Sequence, residues 1–228
     1  MVSENIIDNN NYDGIFLRSS NDNTVSGNNV SNNQNGIHID RSDNNTISGN
    51  LMNLCGIILG ESLEQMASHN IDDTNLVNNK PVYYYINEVG LGSFNFTNAG
   101  QIILINCIDS IISGHDVSNG SIGIYLGYSN SNLITGNAAN HNNLYGIYIY
   151  YSYNITISNN NANNNGELGI YFGDSFGIYL GDYKNNMISG NTASDNGEHG
   201  IYLDNCDNNN ISENTANRNN YGIILYES

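Results

Sequence analysis

Gly123-Ile124-Tyr125-Leu126-Gly127 is followed 23 residues later by Gly146-Ile147-Tyr148-Ile149-Tyr150. The same tetrapeptide grammar, Gly-Ile-x-(Leu/Ile/Phe), begins at Gly14, Gly36, Gly56, Gly123, Gly146, Gly169, Gly177, Gly200 and Gly222, in steps of 22, 20, 67, 23, 23, 8, 23 and 22. The gap of 67 holds two further units, at Gln101-Ile102-Ile103-Leu104, with Gln in the Gly position, and at Asn79-Lys80-Pro81-Val82-Tyr83-Tyr84. The step of 8 is a local duplication at 169–176. A fixed period of this length is the signature of a solenoid.

Each unit has a finer pattern. Counting from the Gly as zero, offsets 1 and 3 are apolar, as in Ile37/Ile39, Ile124/Leu126 and Ile201/Leu203. Offset 11 is aliphatic (Val25, Ile47, Ile112, Ile134, Ile157, Ile188, Ile211), and five residues on comes Val30, Met52, Val117, Ala139, Ala162, Ala193 or Ala216. Offset 14 is Asn28, Asn50, Asn137, Asn160, Asn191 or Asn214, with His115 as the exception. Apolar residues at i and i+2 mark a short strand with one buried face. Three such strands with polar corners bury nothing alone, yet stacked on identical neighbours they form continuous apolar columns. The Gly before each strand suggests a corner with positive φ. The Asn column suggests an amide ladder in a left-handed turn. The expected fold is all-β: a single-stranded right-handed parallel β-helix of about ten coils, roughly 50 Å long at ~4.8 Å per coil. Four interior side chains per coil, each worth roughly 1.5–3 kcal/mol when buried, make a sizeable core. Residues 1–228 read as one domain, with an excursion at 60–79, where Glu61 to Ala67 has helix propensity, and an eight-residue insertion at 169–176. With no polar cap visible at either end, the expectation is an excerpt of a longer β-helix or a rod that associates end to end.

Composition narrows the function. Among 228 residues, 49 are Asn and 24 Gly, and five Lys+Arg face 22 Asp+Glu for a net charge of -17. Nucleic acid is excluded as a partner, because its phosphates demand Lys and Arg. No apolar run is long enough to span a membrane. The start, Met1-Val2-Ser3-Glu4-Asn5, carries no secretory signal pattern.

Asn44-Asn45-Thr46-Ile47-Ser48-Gly49-Asn50, Asn186-Met187-Ile188-Ser189-Gly190-Asn191 and the Gly-Ile-Tyr-Leu runs resemble the NosD-like family of right-handed parallel β-helix proteins. The interrupted segment adds to the likeness: His69-Asn70-Ile71-Asp72, Asn79 to Tyr85, and Ala99 to Cys107 are similar to a block of archaeal surface members. The resemblance covers essentially the whole chain. It implies the fold and an extracellular, cell-surface or periplasmic setting, and its name-giving member implies copper handling.

Copper needs clustered soft ligands. His38, His69, His115, His141 and His199, the methionines, and Cys55, Cys107 and Cys206 show no such spacing, so no metal site is expected. The cysteines read as small buried fillers. Carboxylate catalysis has one weak candidate pair, Asp182 and Asp204, on adjacent coils. Asp40 has Arg18 one coil below it. The outward offset 2 carries Tyr125, Tyr148, Tyr179 and Tyr202 on successive coils, a stripe that either stacks sugar rings or holds the sheet together. The expectation is therefore a structural or glycan-binding surface domain without an evident catalytic set, leaning away from an enzyme. A polysaccharide lyase or hydrolase is the first alternative and copper handling the second. No cofactor is expected, except Ca2+ if an acidic glycan is bound, and the expected partner is a polysaccharide or envelope glycan.

Overall fold

The protein's computed structural model describes residues 1–60, 62–172 and 184–227, with Phe172 described by its backbone alone. The fold is the expected parallel β-solenoid of about ten turns. Offsets 1, 3, 11 and 16 point inward as the periodicity requires. Ile124, Leu126, Ile134 and Ala139 are fully buried, and so are their equivalents one coil on.

The corners differ from expectation in an instructive way. Each regular coil turns at four residues of positive φ, at offsets 5, 8, 13 and 18. In one coil these are Ser19, Asp22, Gly27 and Asn32, and in another Tyr151, Asn154, Asn159 and Asn164. The ladder Asn at offset 14 follows the left-handed residue and is not itself one. The recurrent Gly at offset 0 does not have positive φ either. It is Gly because there is no room: a Cβ on Gly146 would lie 2.7 Å from the Gly169 carbonyl oxygen and 2.9 Å from the Ala162 Cβ.

Asn ladders run at three offsets, where the sequence reading recognised one. At offset 14, the Asn137 backbone amide and Nδ2 both donate to Asn160 Oδ1 (2.9 and 3.0 Å), and Nδ2 also donates to the Ile112 carbonyl (3.0 Å). A second ladder passes through Asn142, Asn165 and Asn196, and a third through Asn186 and Asn209. Asn137, Asn160 and Asn191 each use both Nδ2 hydrogens and the Oδ1 acceptor, which is how these Asn side chains are buried without penalty. At offset 6 the ladder is Ser, with Ser129 donating its amide to Ser152 Oγ at 2.8 Å, and Cys107 takes one rung of it.

The solenoid is not one unbroken rod. Strands Leu51–Asn53 and Leu76–Val77 pair in parallel, but Leu76–Val77 pairs antiparallel with Lys80–Ile86. Between them Asn78 and Asn79 have φ of 51° and 62°, the two positive values a two-residue hairpin turn demands. The chain reverses there and starts a second stack, from Lys80–Ile86 through Gln101–Ile105, Ile122–Gly127, Tyr145–Tyr150, Leu168–Phe172 and His199–Asp204 to Tyr221–Tyr226. Residues 70–71 and 76–77 still belong to the third coil of the first stack, so the true excursion is shorter than 60–79. It contains the helix α1 (Leu63–Ser68), capped by the Ser62 side chain, which accepts from the Gln65 amide.

The two stacks have separate cores. The interior of the second is one cluster. The interior of the first is joined by Ile103, Ile105, Ile122 and Tyr125, which come from the second stack. Of these, Ile103 and Tyr125 hold the outward offset 2. The outer face of the second stack therefore closes the open end of the first, and the molecule has an elbow.

Candidate functional site

The inside corner of that elbow is a cleft of about 690 Å³. One wall is the outer face of strands Asp13–Arg18 and Asn35–Asp40, where alternation sends every second side chain out. His38 stacks on Phe16 with ring centroids 4.7 Å apart. Its Nδ1 lies 3.2 and 3.3 Å from the two Asp13 carboxylate oxygens, and Asn35 Nδ2 donates to the same carboxylate at 2.7 Å. Farther along, Asp40 sits between two guanidinium groups, Arg18 at 3.2 Å and Arg41 at 3.9 Å. Asp13 thus holds the His38 ring by one nitrogen, and this wall gathers two of the five Lys+Arg residues of an acidic chain.

The other wall is aromatic. Tyr145, Tyr148 and Tyr150 project from strand Tyr145–Tyr150. Tyr148 packs parallel to Tyr145 (5.0 Å, 14°) and to Tyr171 of the next coil (5.2 Å, 7°). Burial pushes the Tyr145 phenol well above the usual range, and the neighbouring Glu167 adds to it. Helix α1 covers the floor: the Tyr125 hydroxyl lies 3.4 Å from Met66 Sδ, and the Tyr84 hydroxyl donates to the Met66 carbonyl. The cleft offers guanidinium and phenol donors, carboxylate and amide acceptors, and apolar ring surface. That is the inventory for holding a polyhydroxylated ligand.

The sequence-predicted residues divide. Tyr148 lines the cleft. Tyr125 lies on its floor but is 1 % exposed beneath the helix. Tyr202 stands two coils from Tyr148, tilted against Tyr171 at 5.4 Å. Tyr179 and Asp182 lie outside the described residues. The place in the column assigned to Tyr179 belongs to Tyr171: strand Leu168–Phe172 pairs with Tyr145–Tyr150 and His199–Asp204, bringing Tyr171 opposite Tyr148 and Tyr202. Residues 169–172 of the expected 169–176 insertion thus belong to the regular strand column. Asp204 closes strand His199–Asp204, with Oδ1 3.3 Å from Asn205 Nδ2, and does not line the cleft. Sequence reasoning missed Tyr145, Arg41 and the Asp13–His38 pair as site residues. What brings them together is the Asn78-Asn79 turn, which folds one outer face onto the other and which the sequence does not distinguish from the other Asn corners.

This chain belongs to the right-handed β-helix family, whose description matches residues 101–228. Residues 1–98 match the family of the periplasmic copper-binding protein NosD. No curated protein matches the chain. Among solved structures it is similar to the periplasmic alginate epimerase AlgG, at 19% identity over 93% of this chain and 48% of that one, TM-score 0.46. It is also similar to the A-module of the Azotobacter vinelandii mannuronan C-5 epimerase AlgE4 (14% identity, 98% and 55% covered, TM-score 0.47). A third likeness is to the Dettilon tailspike protein (17% identity, 82% and 46% covered, TM-score 0.40). The chain spans about half the length of each, and at these identities the likeness is one of fold.

The copper that the NosD match implies does not fit the side chains present. Among the described residues no group of three or more His, Cys, Asp or Glu is placed to hold a metal. Cys55, Cys107 and Cys206 are all buried. Burial pushes the Cys55 thiol up to about 11 and the Cys206 thiol up to about 12, against the thiolate a soft metal requires. Among the described residues no helix is long and apolar enough to cross a membrane.

Proposed function

We propose that this chain is a carbohydrate-binding β-helix of the cell surface or periplasm, and that the elbow cleft is its ligand site. The observation that carries the reading is the pairing of a tyrosine wall with a charged, hydrogen-bonding wall across about 690 Å³. Aromatic surface removes the apolar face of a sugar from water, while directional polar groups select its hydroxyls. Tyr145, Tyr148 and Tyr171 form one compact aromatic patch, with ring centroids 5.0, 5.2 and 5.9 Å apart in pairs. The NosD family match supports a periplasmic setting.

A glycan-array screen with neutral and acidic polysaccharides, run with and without Ca2+, tests this. Wild type is expected to bind a defined glycan, and Tyr148→Ala is expected to weaken it roughly tenfold, about 1.4 kcal/mol, with the melting temperature as a folding control. Arg41→Ala, at the opposite wall, is expected to weaken the same glycan. Binding to no glycan, or binding indifferent to both substitutions, overturns the proposal.

A further inference from the structure

Asp13 and Asn35 face each other in register on adjacent strands, and three residues on Phe16 and His38 do the same. The His38 ring is therefore held twice. Phe16 lies against its face, with centroids 4.7 Å apart and planes 29° from parallel. Asp13 lies at its edge, 3.2 and 3.3 Å from Nδ1. A carboxylate only accepts hydrogen bonds, so Nδ1 carries a proton and donates it. In the neutral ring that leaves Nε2 bare, as an acceptor. His38 lines the cleft and Asp13 does not, so the Nδ1 edge turns away from the cleft and the Nε2 edge toward it.

Asn35 stands on the same wall and is 8 % exposed. Its Nδ2 donates to Asp13 at 2.7 Å, which fixes the end of the amide that is nitrogen. Its Oδ1 is buried and accepts from nothing. Of the buried polar atoms left unpaired among the described residues, it is the one on a residue that lines the cleft. The ladder residues behave otherwise, as Asn137, Asn160 and Asn191 all have Oδ1 filled by a backbone amide. A buried acceptor without a donor destabilises the protein and is rare. Beside a cleft it marks a place for a donor from outside. That donor is neutral, because Arg18 and Arg41 on the same wall repel a cation.

We propose that Asn35 and His38 are the specificity-determining pair of the cleft: Asn35 Oδ1 and His38 Nε2 accept hydrogen bonds from free hydroxyl groups of a bound glycan. Asp13 is the positioning residue that sets the His38 tautomer. The assignment rests on the reading of the cleft as a carbohydrate site and adds a chemical class to it. The glycan is one whose hydroxyls at this wall are unsubstituted, since an ether or ester oxygen has no proton to give. A site that pairs its buried acceptor with a ligand hydroxyl rejects the analogue that lacks one.

Two measurements test this. The first needs no glycan: NMR of the His38 ring nitrogens at about pH 8.5, where histidine is ordinarily neutral. Wild type is expected to hold the proton on Nδ1, and Asp13→Asn to shift it toward Nε2. The second is calorimetric titration with cellohexaose, mannohexaose and hexagalacturonate. At least one is expected to bind wild type, and to bind Asn35→Ala and Asp13→Asn roughly tenfold more weakly. Its fully O-methylated form is expected not to bind. Melting temperatures establish that each variant is folded. A wild-type proton on Nε2 overturns the assignment. So does a probe that Tyr148→Ala weakens while Asn35→Ala and Asp13→Asn leave it unchanged, and the carbohydrate reading then stands without the assignment. If none of the three probes binds, the assignment falls together with that reading.

Discussion

The Gln101 side chain forms a two-way hydrogen-bonded pair with the Ile57 backbone: Oε1 accepts from the Ile57 amide at 2.9 Å, and Nε2 donates to the Ile57 carbonyl at 2.7 Å. Ile57 begins the last strand of its sheet in the first stack, where a parallel coil would otherwise pair. The amide side chain stands in for the peptide group of that absent coil. Ser121 does the same for Gly56, accepting its amide at 2.8 Å and donating to the Gln34 carbonyl at 2.9 Å. Asn143 Nδ2 completes the joint on the Asn33, Gln34 and Leu54 carbonyls. The elbow is thus fastened by side chains that imitate a strand.

Gln101→Ala is accordingly expected to cost about 2–4 kcal/mol, because it leaves a buried amide and a buried carbonyl unpaired at once. Gln101→Glu, which keeps the acceptor but turns the donor into a second carboxylate oxygen, is expected to cost at least as much at neutral pH. Urea denaturation measures both. Loss confined to the first-stack signals in hydrogen exchange would locate the effect at the joint.

Asn160 is fully buried in the second stack, and its Oδ1 accepts from both donors of Asn137 while Nδ2 reaches the Ile134 carbonyl and Asn191 Oδ1. Asn160→Ala is expected to destabilise by about 2–4 kcal/mol through the orphaned groups it leaves. Asn160→Asp retains the acceptor, loses the donors and buries an unpaired charge, so about 3–5 kcal/mol is expected. A loss for Asn160→Ala with none for the near-isosteric Asn160→Asp would mean that the ladder acts through shape and not through hydrogen bonding.

Glycine substitutions separate crowded sites from open ones. A Cβ on Gly166 would lie 2.0 Å from the Asn143 carbonyl oxygen, which is backbone and cannot swing away, whereas a Cβ on Gly92 meets nothing within 4 Å. Gly166→Ala is expected to cost about 3 kcal/mol or more. Gly92→Ala is expected to stay within about 0.5 kcal/mol of wild type. Thermal melting of the pair is the check.

The interior columns were legible in the sequence because burial at offsets 1, 3 and 11 imposes a chemistry that repeats: Ile37, Ile124 and Ile201 have no alternative. The left-handed corners were less legible. Asn, Ser, Asp, Tyr and Gly all occupy them, so no single residue type marks the place. The elbow was hidden because Asn78-Asn79 resembles the other Asn corners of a chain that is a fifth Asn. What distinguishes it is two consecutive positive φ values, which composition does not show. Tyr179 and Tyr171 were confused for a related reason: Gly-Ile-Tyr occurs twice within eight residues, and only pairing with Tyr148 and Tyr202 decides which copy joins the ladder. The cleft was out of reach, since it forms between surfaces whose contact depends on that turn.

Two histidines occupy ladder places and make stability depend on pH. His69 continues the offset-9 ladder of Asn23 and Asn45, and its Nδ1 accepts from the Asn45 amide at 3.2 Å, which requires the neutral ring. Burial lowers its pKa, with the charge of Asp43 working partly against that. His115 holds the offset-14 place, donates its backbone amide to Asn137 Oδ1 at 3.0 Å, and has its pKa lowered by burial. In both cases the unfolded chain binds the proton more readily than the folded one. Their contribution is therefore intact above the ordinary histidine pKa of about 6.5 and falls as pH drops from there through the depressed folded values. Each adds a slope of at most about 1.4 kcal/mol per pH unit in that window. His69→Asn and His115→Asn put the ladder's own amide back in place, so the double variant is expected to be flat between pH 7.5 and pH 5.5, values on either side of about 6.5. Asp8, Asp116 and Asp195, all held below the usual carboxylate range by hydrogen bonds, lose their contribution only at lower pH and leave that window clear. Urea midpoints at the two pH values decide it: a wild-type drop that persists undiminished in the double variant would show that neither histidine carries the acid sensitivity.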